Sequence, residues 1–224
     1  MKISVIIPIL NEEKSIGPVL DALPRQRLHE VIVVDAGSKD KSLEIARSRR
    51  VKVVHGNRPG YGLACLTGIS ALTNPEIVVF LDGDFSDYPE EIDLLTEPIV
   101  RGEADFIMGS RLLGQPEPNS ISLHTRLRNR LLCFLVLCLY RRRYTDVGPF
   151  RAIRYEALKG LKMRNRVSGW NVEMQVKAAK ARLRILEVPV RYRKRIGESK
   201  LSRTSLGSFR ISLGSFWVLL RNLF

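Results

Sequence analysis

The chain has 224 residues, of which 45% are hydrophobic and 27% are charged. This length can bury a sizeable core as one large domain, and the composition excludes a disordered, collagen-like or disulfide-scaffold protein. The longest apolar run, residues 131–140, is shorter than the ~18 residues that a transmembrane helix needs. The N-terminus lacks a signal-peptide cleavage site, and the three cysteines sit in apolar contexts without a CxxC pair. We therefore expect a cytoplasmic chain with buried thiols.

The net charge of +14 is unevenly distributed along the chain. Residues 1–122 carry 13 Lys+Arg and 18 Asp+Glu, whereas residues 123–224 carry 24 Lys+Arg and 5 Asp+Glu. The two halves therefore have net charges of −5 and +19. A strongly basic half favours a polyanionic partner, which can be nucleic acid, an anionic membrane surface or a phosphorylated substrate. A basic surface without such a partner is an equally good interpretation of composition alone.

The first half alternates short apolar strands with helices. Strands are predicted at residues 2–9, 30–34, 51–55, 76–81 and 105–109, and helices at 15–23, 40–49, 60–72 and 89–101. This alternation predicts a mostly parallel sheet that helices cover on both faces. Ligands of such sheets bind at the carboxyl ends of the strands. The polar residues that follow the first, second and fourth strands are thus candidate site residues: Asn11, Glu12, Asp35, Asp82 and Asp84.

The second half is less regular. Helices are predicted at residues 125–140, 155–161 and 171–181, and a strand at 184–192. Residues 191–200 carry five cations beside Gly197 and Ser199, a composition that suits either a solvated loop or one that closes over a diphosphate. The last segment, 205–224, has apolar residues at spacings of three and four, which indicates an amphipathic helix.

The segment Asp82-Gly83-Asp84 places two carboxylates one residue apart on a turn after a buried strand. Hard oxygen ligands of this kind suit Mg²⁺ or Mn²⁺, which keep further coordination positions for phosphate oxygens. An acidic turn without metal is the common alternative, but the position at the end of a parallel strand favours the metal. No zinc-finger or RNP-like pattern is present, so nucleic acid is not expected as a partner.

Eight segments, taken in order, resemble family 2 glycosyltransferases with the GT-A fold, and in particular their dolichol-phosphate mannosyltransferase-like branch. The segments are PILNEE at 8–13, VIVVDAGSKDKS at 31–42, GYGLACLTG at 60–68, VVFLDGDFSDYPEE at 78–91, GSR at 109–111, TDVGPFRAIR at 145–154, GWNVEMQVKAAK at 169–180 and VPVRYRKRIGESK at 188–200. The resemblance implies a GT-A domain over residues 1–204, with a donor and metal half at 1–122 and a basic acceptor half at 123–204. The amphipathic helix 205–224 would follow it.

The resemblance also implies residue roles. The nucleotide-diphospho-sugar donor would be bound by Pro8, Glu12, Asp35, Asp82, Gly83, Arg193, Arg195 and Lys200, with Asp82 and Asp84 coordinating the Mg²⁺ or Mn²⁺ on its diphosphate. The acceptor phosphate would face Arg111, Arg126 and Arg151. Asp146 stands where related transferases place a candidate base, so that Asp84 and Asp146 are the candidate catalytic residues. Ser86 stands where family members often have a glutamine metal ligand.

The activity that the resemblance implies is transfer of a hexose from a nucleotide-diphospho-sugar to a polyprenyl phosphate, with inversion. Two alternatives stay open: the same donor chemistry on a soluble phosphorylated or saccharide acceptor, and a non-enzymatic basic module that binds nucleic acid. A lipid acceptor would make the chain a peripheral protein at the inner face of the membrane, docked to an anionic surface through residues 131–140 and 205–224. Both segments can instead be core or dimer elements, and a homo-oligomer stays open.

Overall fold

The computed structural model describes residues 1–56, 58–197, 217–219 and 221–222 of the chain. A seven-stranded sheet forms its centre. The strands are β1 (Ile3–Ile9), β2 (Glu30–Asp35), β3 (Lys52–His55), β4 (Ile77–Phe80), β5 (Phe106–Ser110), β6 (Arg151–Arg154) and β7 (Ile185–Pro189). Strands β1, β4 and β5 are buried along their whole length, as expected where helices cover both faces of a sheet.

The strand order in the sheet is β3-β2-β1-β4-β6-β5-β7. Strand β1 pairs in parallel with β2 and β4, β2 with β3, and β5 with β7, whereas β6 runs antiparallel to its neighbours β4 and β5. The predicted α/β fold with a mostly parallel central sheet is therefore confirmed. Because β1 lies between β2 and β4, the residues that follow these three parallel strands meet at the same end of the sheet.

Helices form a layer on each face of the sheet. They are α1 (Ile16–Asp21), α2 (Ser42–Ser48), α3 (Tyr61–Ser70), α4 (Ile92–Val100), α5 (Leu123–Tyr140), α6 (Tyr155–Leu161) and α7 (Trp170–Lys180). The alternation of side chains along each strand divides the core between the two layers. Phe80 packs edge-on against Trp170 on the face covered by α3, α5, α6 and α7, with ring centroids 5.9 Å apart, while its neighbour Val79 faces α1, α2 and α4.

Three local expectations are wrong. Strand β6 was missed, because its sequence, RAIR, is short and bears an arginine at each end, yet it inserts between β4 and β5. Strand β7 ends at Pro189 rather than at residue 192. Cys65 and Cys133 are buried as expected, but Cys138 is exposed. Its exposure follows from its place on the solvent side of α5.

The end of the chain is described only in part. Lys200, residue 204, where the predicted domain ends, and most of the predicted helix 205–224 lie outside the described residues. Within that helix, residues 217–219 and 221 are helical. In the described ranges, no helix is long and apolar enough to cross a membrane.

Candidate active site

The ends of β1 and β2 bring the first two predicted donor residues together. Glu12 follows β1, and its carboxylate accepts a hydrogen bond from the Ser15 hydroxyl at 2.8 Å. Asp35 ends β2 almost fully buried, and its carboxylate accepts a hydrogen bond from the Ser38 backbone N–H at 2.9 Å. The second oxygen of Asp35 lies 3.8 Å from His55 Nδ1. Both carboxylates are therefore oriented by the turns that carry them.

The acidic turn after β4 rests on the end of β1. A Cβ placed at Gly83 would lie 2.6 Å from a side-chain carbon of Ile9 and 3.3 Å from the Pro8 carbonyl oxygen. Glycine is therefore needed for this close approach. The following Phe85 adopts a φ of 60°, a left-handed conformation that is rare for a bulky residue and concentrates at functional sites. Pro8 and Gly83 thus shape the turn that presents the two carboxylates.

Within that turn, Ser86 fixes one of the carboxylates. Oδ1 of Asp84 accepts hydrogen bonds from the Ser86 backbone N–H at 3.0 Å and from the Ser86 hydroxyl at 2.5 Å. The hydroxyl that stands in place of the family's glutamine ligand is therefore used to orient Asp84. The other oxygen, Oδ2 of Asp84, faces the Arg195 guanidinium, which is described below.

Asp82 carries the feature that fits a metal ion. Its Oδ1 is buried and has no hydrogen-bond partner in the described part of the chain. Burial, followed by the charge of Asp84, raises the pKa of Asp82 to about 7. A divalent cation would satisfy that oxygen and offset the repulsion between the two carboxylates, so these residues fit Mg²⁺ or Mn²⁺. Across the described ranges, no group of three or more His, Cys, Asp or Glu side chains could hold a metal ion. The turn would therefore rely on phosphate oxygens and water for further ligands.

The basic segment after β7 is fastened across this turn by Arg193. The Arg193 backbone N–H donates to the Ser86 carbonyl at 2.9 Å. Its guanidinium stacks between Phe85 and Tyr88, 3.6 and 3.8 Å from the two ring centroids, and donates to the Asp87 carbonyl at 3.3 Å. In this structure the Arg193 guanidinium is held by the turn and anchors the segment, and its contact with the donor diphosphate stays a prediction.

Arg195 is the cation of this segment that reaches the carboxylates. Its Nη1 lies 3.3 Å from Asp84 Oδ2, and its Nη2 donates to Glu12 Oε1 at 3.3 Å. The next backbone N–H, of Ile196, donates to the Asp84 carbonyl at 3.0 Å. The structure thus brings Arg195 together with two predicted donor and metal residues.

On the other side of the site, Arg111 and Asp146 form a buried ion pair. Asp146 Oδ2 accepts hydrogen bonds from the Arg111 backbone N–H at 2.9 Å and from Arg111 Nε at 2.7 Å, while Oδ1 accepts from Nη2 at 2.7 Å. The Val147 backbone N–H donates the fourth hydrogen bond to this carboxylate, and the second to Oδ1, at 2.7 Å. Burial alone would raise the pKa of Asp146, but Arg111 outweighs burial and holds that pKa below its usual value.

This geometry does not favour the expectation that Asp146 is a base, which stays a prediction. A general base needs a free lone pair and a pKa near the working pH. Both oxygens of Asp146 are occupied and its pKa is lowered. In this structure Asp146 fixes the direction of the Arg111 guanidinium. The Tyr192 ring supports the same guanidinium from 5.0 Å.

Arg151 does not reach the acceptor side as expected. It is fully buried in β6, and its guanidinium donates to the Asn171 carbonyl at 3.1 Å and to the Gly148 carbonyl. Burial lowers the pKa of Arg151 to about 10, so the side chain still carries its charge at neutral pH. Its role in this structure is to tie β6 to the start of α7.

Arg128, rather than the predicted Arg126, lines the cleft. Arg126 is exposed on α5 and does not line the cleft. Helix residues two positions apart, such as Arg126 and Arg128, differ in direction by about 200°. Arg128 lines the cleft and has no carboxylate partner among the residues that the structure describes. Burial and the neighbouring Arg111 lower the pKa of Arg128. Two cations thus share one cleft wall, although Asp146 neutralises only Arg111.

A cleft of about 430 Å³ joins the two sides, and its lining includes Asp82 and Asp84 as well as Arg111 and Arg128. Sequence reasoning missed Arg128, Tyr192 and Asp87. The helical period would have separated Arg128 from Arg126 once the buried face of α5 was known. Asp87 is buried with neither carboxylate oxygen bonded to a described residue, and burial raises its pKa well above the usual value. No signal in the sequence distinguishes Asp87 from an ordinary turn carboxylate.

Comparisons with known proteins agree with this geometry. The family model that matches is Glycosyl transferase family 2, over residues 4–162. An uncharacterized glycosyltransferase of Mycobacterium tuberculosis is 34% identical over 223 residues, with 96% of each chain covered. The UDP-N-acetylglucosamine–dolichyl-phosphate N-acetylglucosaminyltransferase of Methanococcus voltae is 28% identical over 212 residues, with 84% of each chain covered.

Solved structures show the same fold. Glucosyl-3-phosphoglycerate synthase from Mycobacterium tuberculosis, in complex with Mn²⁺, UDP and phosphoglyceric acid, has a TM-score of 0.80 at 22% identity, covering 99% of this chain and 78% of that one. Its complex with Mn²⁺, UDP-glucose and phosphoglyceric acid has a TM-score of 0.79 at 23% identity, covering 99% and 79%. These likenesses support the GT-A fold. Because the family model matches more than half of the chain, and a relative above 30% identity spans nearly all of it, the chain belongs to glycosyl transferase family 2.

Proposed function

We propose that the chain transfers a hexose from a nucleotide-diphospho-sugar to a polyprenyl phosphate, with inversion and with a bound Mg²⁺ or Mn²⁺. Asp82 and Asp84 would hold the cation, and Glu12 and Asp35 would bind the nucleotide. The name of the Methanococcus voltae relative supports a dolichyl-phosphate acceptor. The Mn²⁺ and UDP-glucose complex of the synthase that shares the fold supports the donor and the cation.

The proposal of a lipid acceptor is supported by one observation, which is that helix α5 lines the cleft with one face and exposes apolar side chains on the other. The inner face of α5 lines the cleft with Thr125, Arg128, Asn129 and Leu132. The outer face of α5 exposes Leu123, Leu127, Leu131 and Phe134, with exposed fractions of 71, 54, 57 and 59%. A lipid-borne phosphate can reach the cleft only if the cleft lies at the membrane surface. One helix diameter, about 10 Å, separates the proposed phosphate site from this apolar surface.

Charge favours a membrane over a second copy of the chain as the partner of the outer face. Residues 123–143 contain six arginines and no Asp or Glu. Two copies of this face would bring like charges together, whereas an anionic headgroup surface attracts each arginine by about 1 kcal/mol. We therefore propose a peripheral protein at the inner face of the membrane, with the outer face of α5 in the interface. The exposed Trp217 lies in the second segment that the sequence assigned to docking.

The acceptor phosphate is proposed to bind between Arg111 and Arg128. Asp146 and the Tyr192 ring hold Arg111 in one orientation. Arg128 contributes the cation that no described carboxylate neutralises. Charge-assisted bonds from two guanidinium groups suit a phosphate dianion.

The reaction needs little acid–base help, because the acceptor phosphate oxygen is already anionic. That oxygen forms the bond to the anomeric carbon, while the bond from this carbon to the donor diphosphate breaks and its electron pair leaves with the nucleoside diphosphate. When bound, a divalent cation supplies charge stabilisation to that leaving group. The residues of this chain supply positioning and electrostatic stabilisation, which account for most of the proposed rate enhancement.

A soluble phosphorylated acceptor is the second candidate. The synthase complexes that share the fold contain phosphoglyceric acid, and such an acceptor would use the same arginine pair. The outer face of α5 has no role in that reaction. The two candidates therefore differ in what the exposed leucines do.

Sugar-labelled nucleotide sugars, offered with polyprenyl phosphate and with 3-phosphoglycerate in separate reactions, test the acceptor. We expect the label to move into the organic phase with polyprenyl phosphate. Label that appears only in a water-soluble product would contradict the lipid acceptor and support the second candidate. A first thermal-shift screen with UDP- and GDP-sugars and Mn²⁺ identifies the donor, because a ligand of the native state raises its melting temperature.

Sedimentation with vesicles containing phosphatidylglycerol tests the membrane site. We expect the wild-type chain to sediment at low salt and Leu131→Asp to remain in the supernatant, because a charged side chain replaces apolar contact at the interface. Leu94→Asp, at an exposed leucine of α4 on the other face of the sheet, is the matched control and should sediment. Equal sedimentation of both variants would contradict docking through α5.

A further inference from the structure

Arg195 forms its two carboxylate contacts with residues that the proposed function assigns to other ligands. Nη1 lies 3.3 Å from Asp84 Oδ2, and Nη2 lies 3.3 Å from Glu12 Oε1. Oδ1 of the same Asp84 is already bonded to Ser86, so Oδ2 is the oxygen left for a cation. The side chains of Asp84 and Glu12 are 11% and 9% exposed, which limits screening by water.

Arg195 is held more weakly than Arg193. Both of its carboxylate contacts are at the long end for N–H···O bonds. Arg193 is clamped between two aromatic rings and anchors the backbone of the segment. The Ile196 backbone N–H also keeps the chain on the turn by donating to the Asp84 carbonyl. Rotation of the Arg195 side chain can therefore release the carboxylates while the segment stays in place.

We propose that Arg195 competes with the divalent cation for Asp84, so that cation and donor bind cooperatively. The inference rests on the proposed function and adds a coupling within its site. A guanidinium keeps its proton in proteins, so it cannot share Asp84 Oδ2 with a divalent cation without repulsion. A nucleoside diphosphate offers Arg195 a new anionic partner, which frees Asp84 for the metal. Linkage makes this coupling reciprocal, since each ligand then raises the affinity of the other.

Manganese titrations followed by electron paramagnetic resonance test the coupling without any turnover. Wild-type chain, Arg195→Gln and Arg191→Gln are titrated with Mn²⁺ alone and again with saturating UDP or GDP. Arg191 is the matched control, because it belongs to the same segment but pairs with Glu90 and Glu91. Without nucleotide, we expect Arg195→Gln to bind Mn²⁺ about tenfold more tightly than wild type, and Arg191→Gln to match wild type.

The nucleotide arm measures the coupling itself. We expect the nucleoside diphosphate to raise Mn²⁺ affinity strongly in wild type and much less in Arg195→Gln, because the competing cation is already gone. Arg195→Lys should lie between the two, since a lysine is a point charge that cannot bridge both carboxylates. Thermal melts of all variants confirm that the proteins compared are folded.

Two outcomes distinguish a failure of this inference from a failure of the proposed function. Mn²⁺ binding that is unchanged or weaker in Arg195→Gln without nucleotide would overturn the inference and leave the proposed function standing. A folded wild-type chain that binds no Mn²⁺ even with nucleoside diphosphate would overturn the proposed metal site and the inference together.

Discussion

The two sides of the cleft carry side chains of opposite charge. The proposed donor wall is lined by Asp82 and Asp84, and Glu12 and Asp35 lie beyond it at the ends of the neighbouring parallel strands. The proposed acceptor wall, comprising Arg111 and Arg128, gathers guanidinium groups from the end of β5 and from α5. On each wall one charge is well partnered: Ser86 and Arg195 contact Asp84, and Asp146 neutralises Arg111.

On each wall another group is left without such a partner. Asp82 keeps a buried unbonded oxygen and a raised pKa, and Arg128 keeps a lowered pKa and no carboxylate partner in the described part of the chain. Unsatisfied charge inside a cleft is costly unless a ligand offsets it. The comparison therefore predicts that a cation binds at the donor wall and an anion at the acceptor wall. Variants of either wall can test this prediction.

The largest effect is expected when a proposed metal ligand is removed from the donor wall. We expect Asp84→Asn to lower turnover by about 10²–10³-fold or more, because a preorganised charge at the leaving group is lost. The melting temperature should stay within a few degrees, since the amide keeps the shape of the side chain and can still bond to Ser86. Turnover with radiolabelled donor and a thermal melt are the measurements.

A control for this variant is Asp93→Asn, at a carboxylate that pairs with Arg27 on the surface. It should match wild type in both measurements. Retained activity in Asp84→Asn would remove the metal assignment from the donor wall.

On the acceptor wall, Asp146→Asn separates positioning from proton abstraction. The change leaves the buried Arg111 without its counter-charge, and breaking such a pair costs about 3–5 kcal/mol. We expect a large drop in the free energy of unfolding, measured by urea denaturation, and a raised KM for the acceptor. The loss of stability is expected with either role, because the ion pair is broken in both, so the kinetics decide: a base would give a lost kcat with an unchanged KM for the acceptor.

Arg128→Gln is expected to raise the KM for the acceptor by about 10–100-fold, because one charge-assisted contact to phosphate is worth about 1.5–3 kcal/mol. The KM for the donor should not change. Arg126→Gln is the matched control two residues away, and its kinetics with a short-chain acceptor in detergent should equal those of wild type. Equal effects of the two variants would contradict the proposed phosphate site.

The donor wall was largely predictable from sequence, whereas the acceptor wall was not. Asp82 and Asp84 follow an apolar strand directly, so the topology of a parallel sheet fixes their place once the strands are known. Arg128 and Arg126 lie on one helix, whose run at 131–140 is apolar all round and gives no sign of which face is buried. Arg151 was assigned to the acceptor phosphate because β6 was not expected, and the pairing of Asp146 with Arg111 was not foreseen because it spans 35 residues.

The smallest expected effect is a pH dependence of cation binding at the donor wall. Burial and Asp84 raise the pKa of Asp82 to about 7, so below that pH the folded chain holds a proton that a cation must displace. Mn²⁺ affinity should therefore fall by at most about tenfold per pH unit below pH 7 and level off above it. Titrations from about pH 5.5 to about pH 8 measure this, and Asp82→Asn should bind more weakly with a flatter profile. A wild-type profile that is flat through pH 7 would mean that Asp82 is already ionised, and the contrast between the two walls would then rest on Arg128 alone.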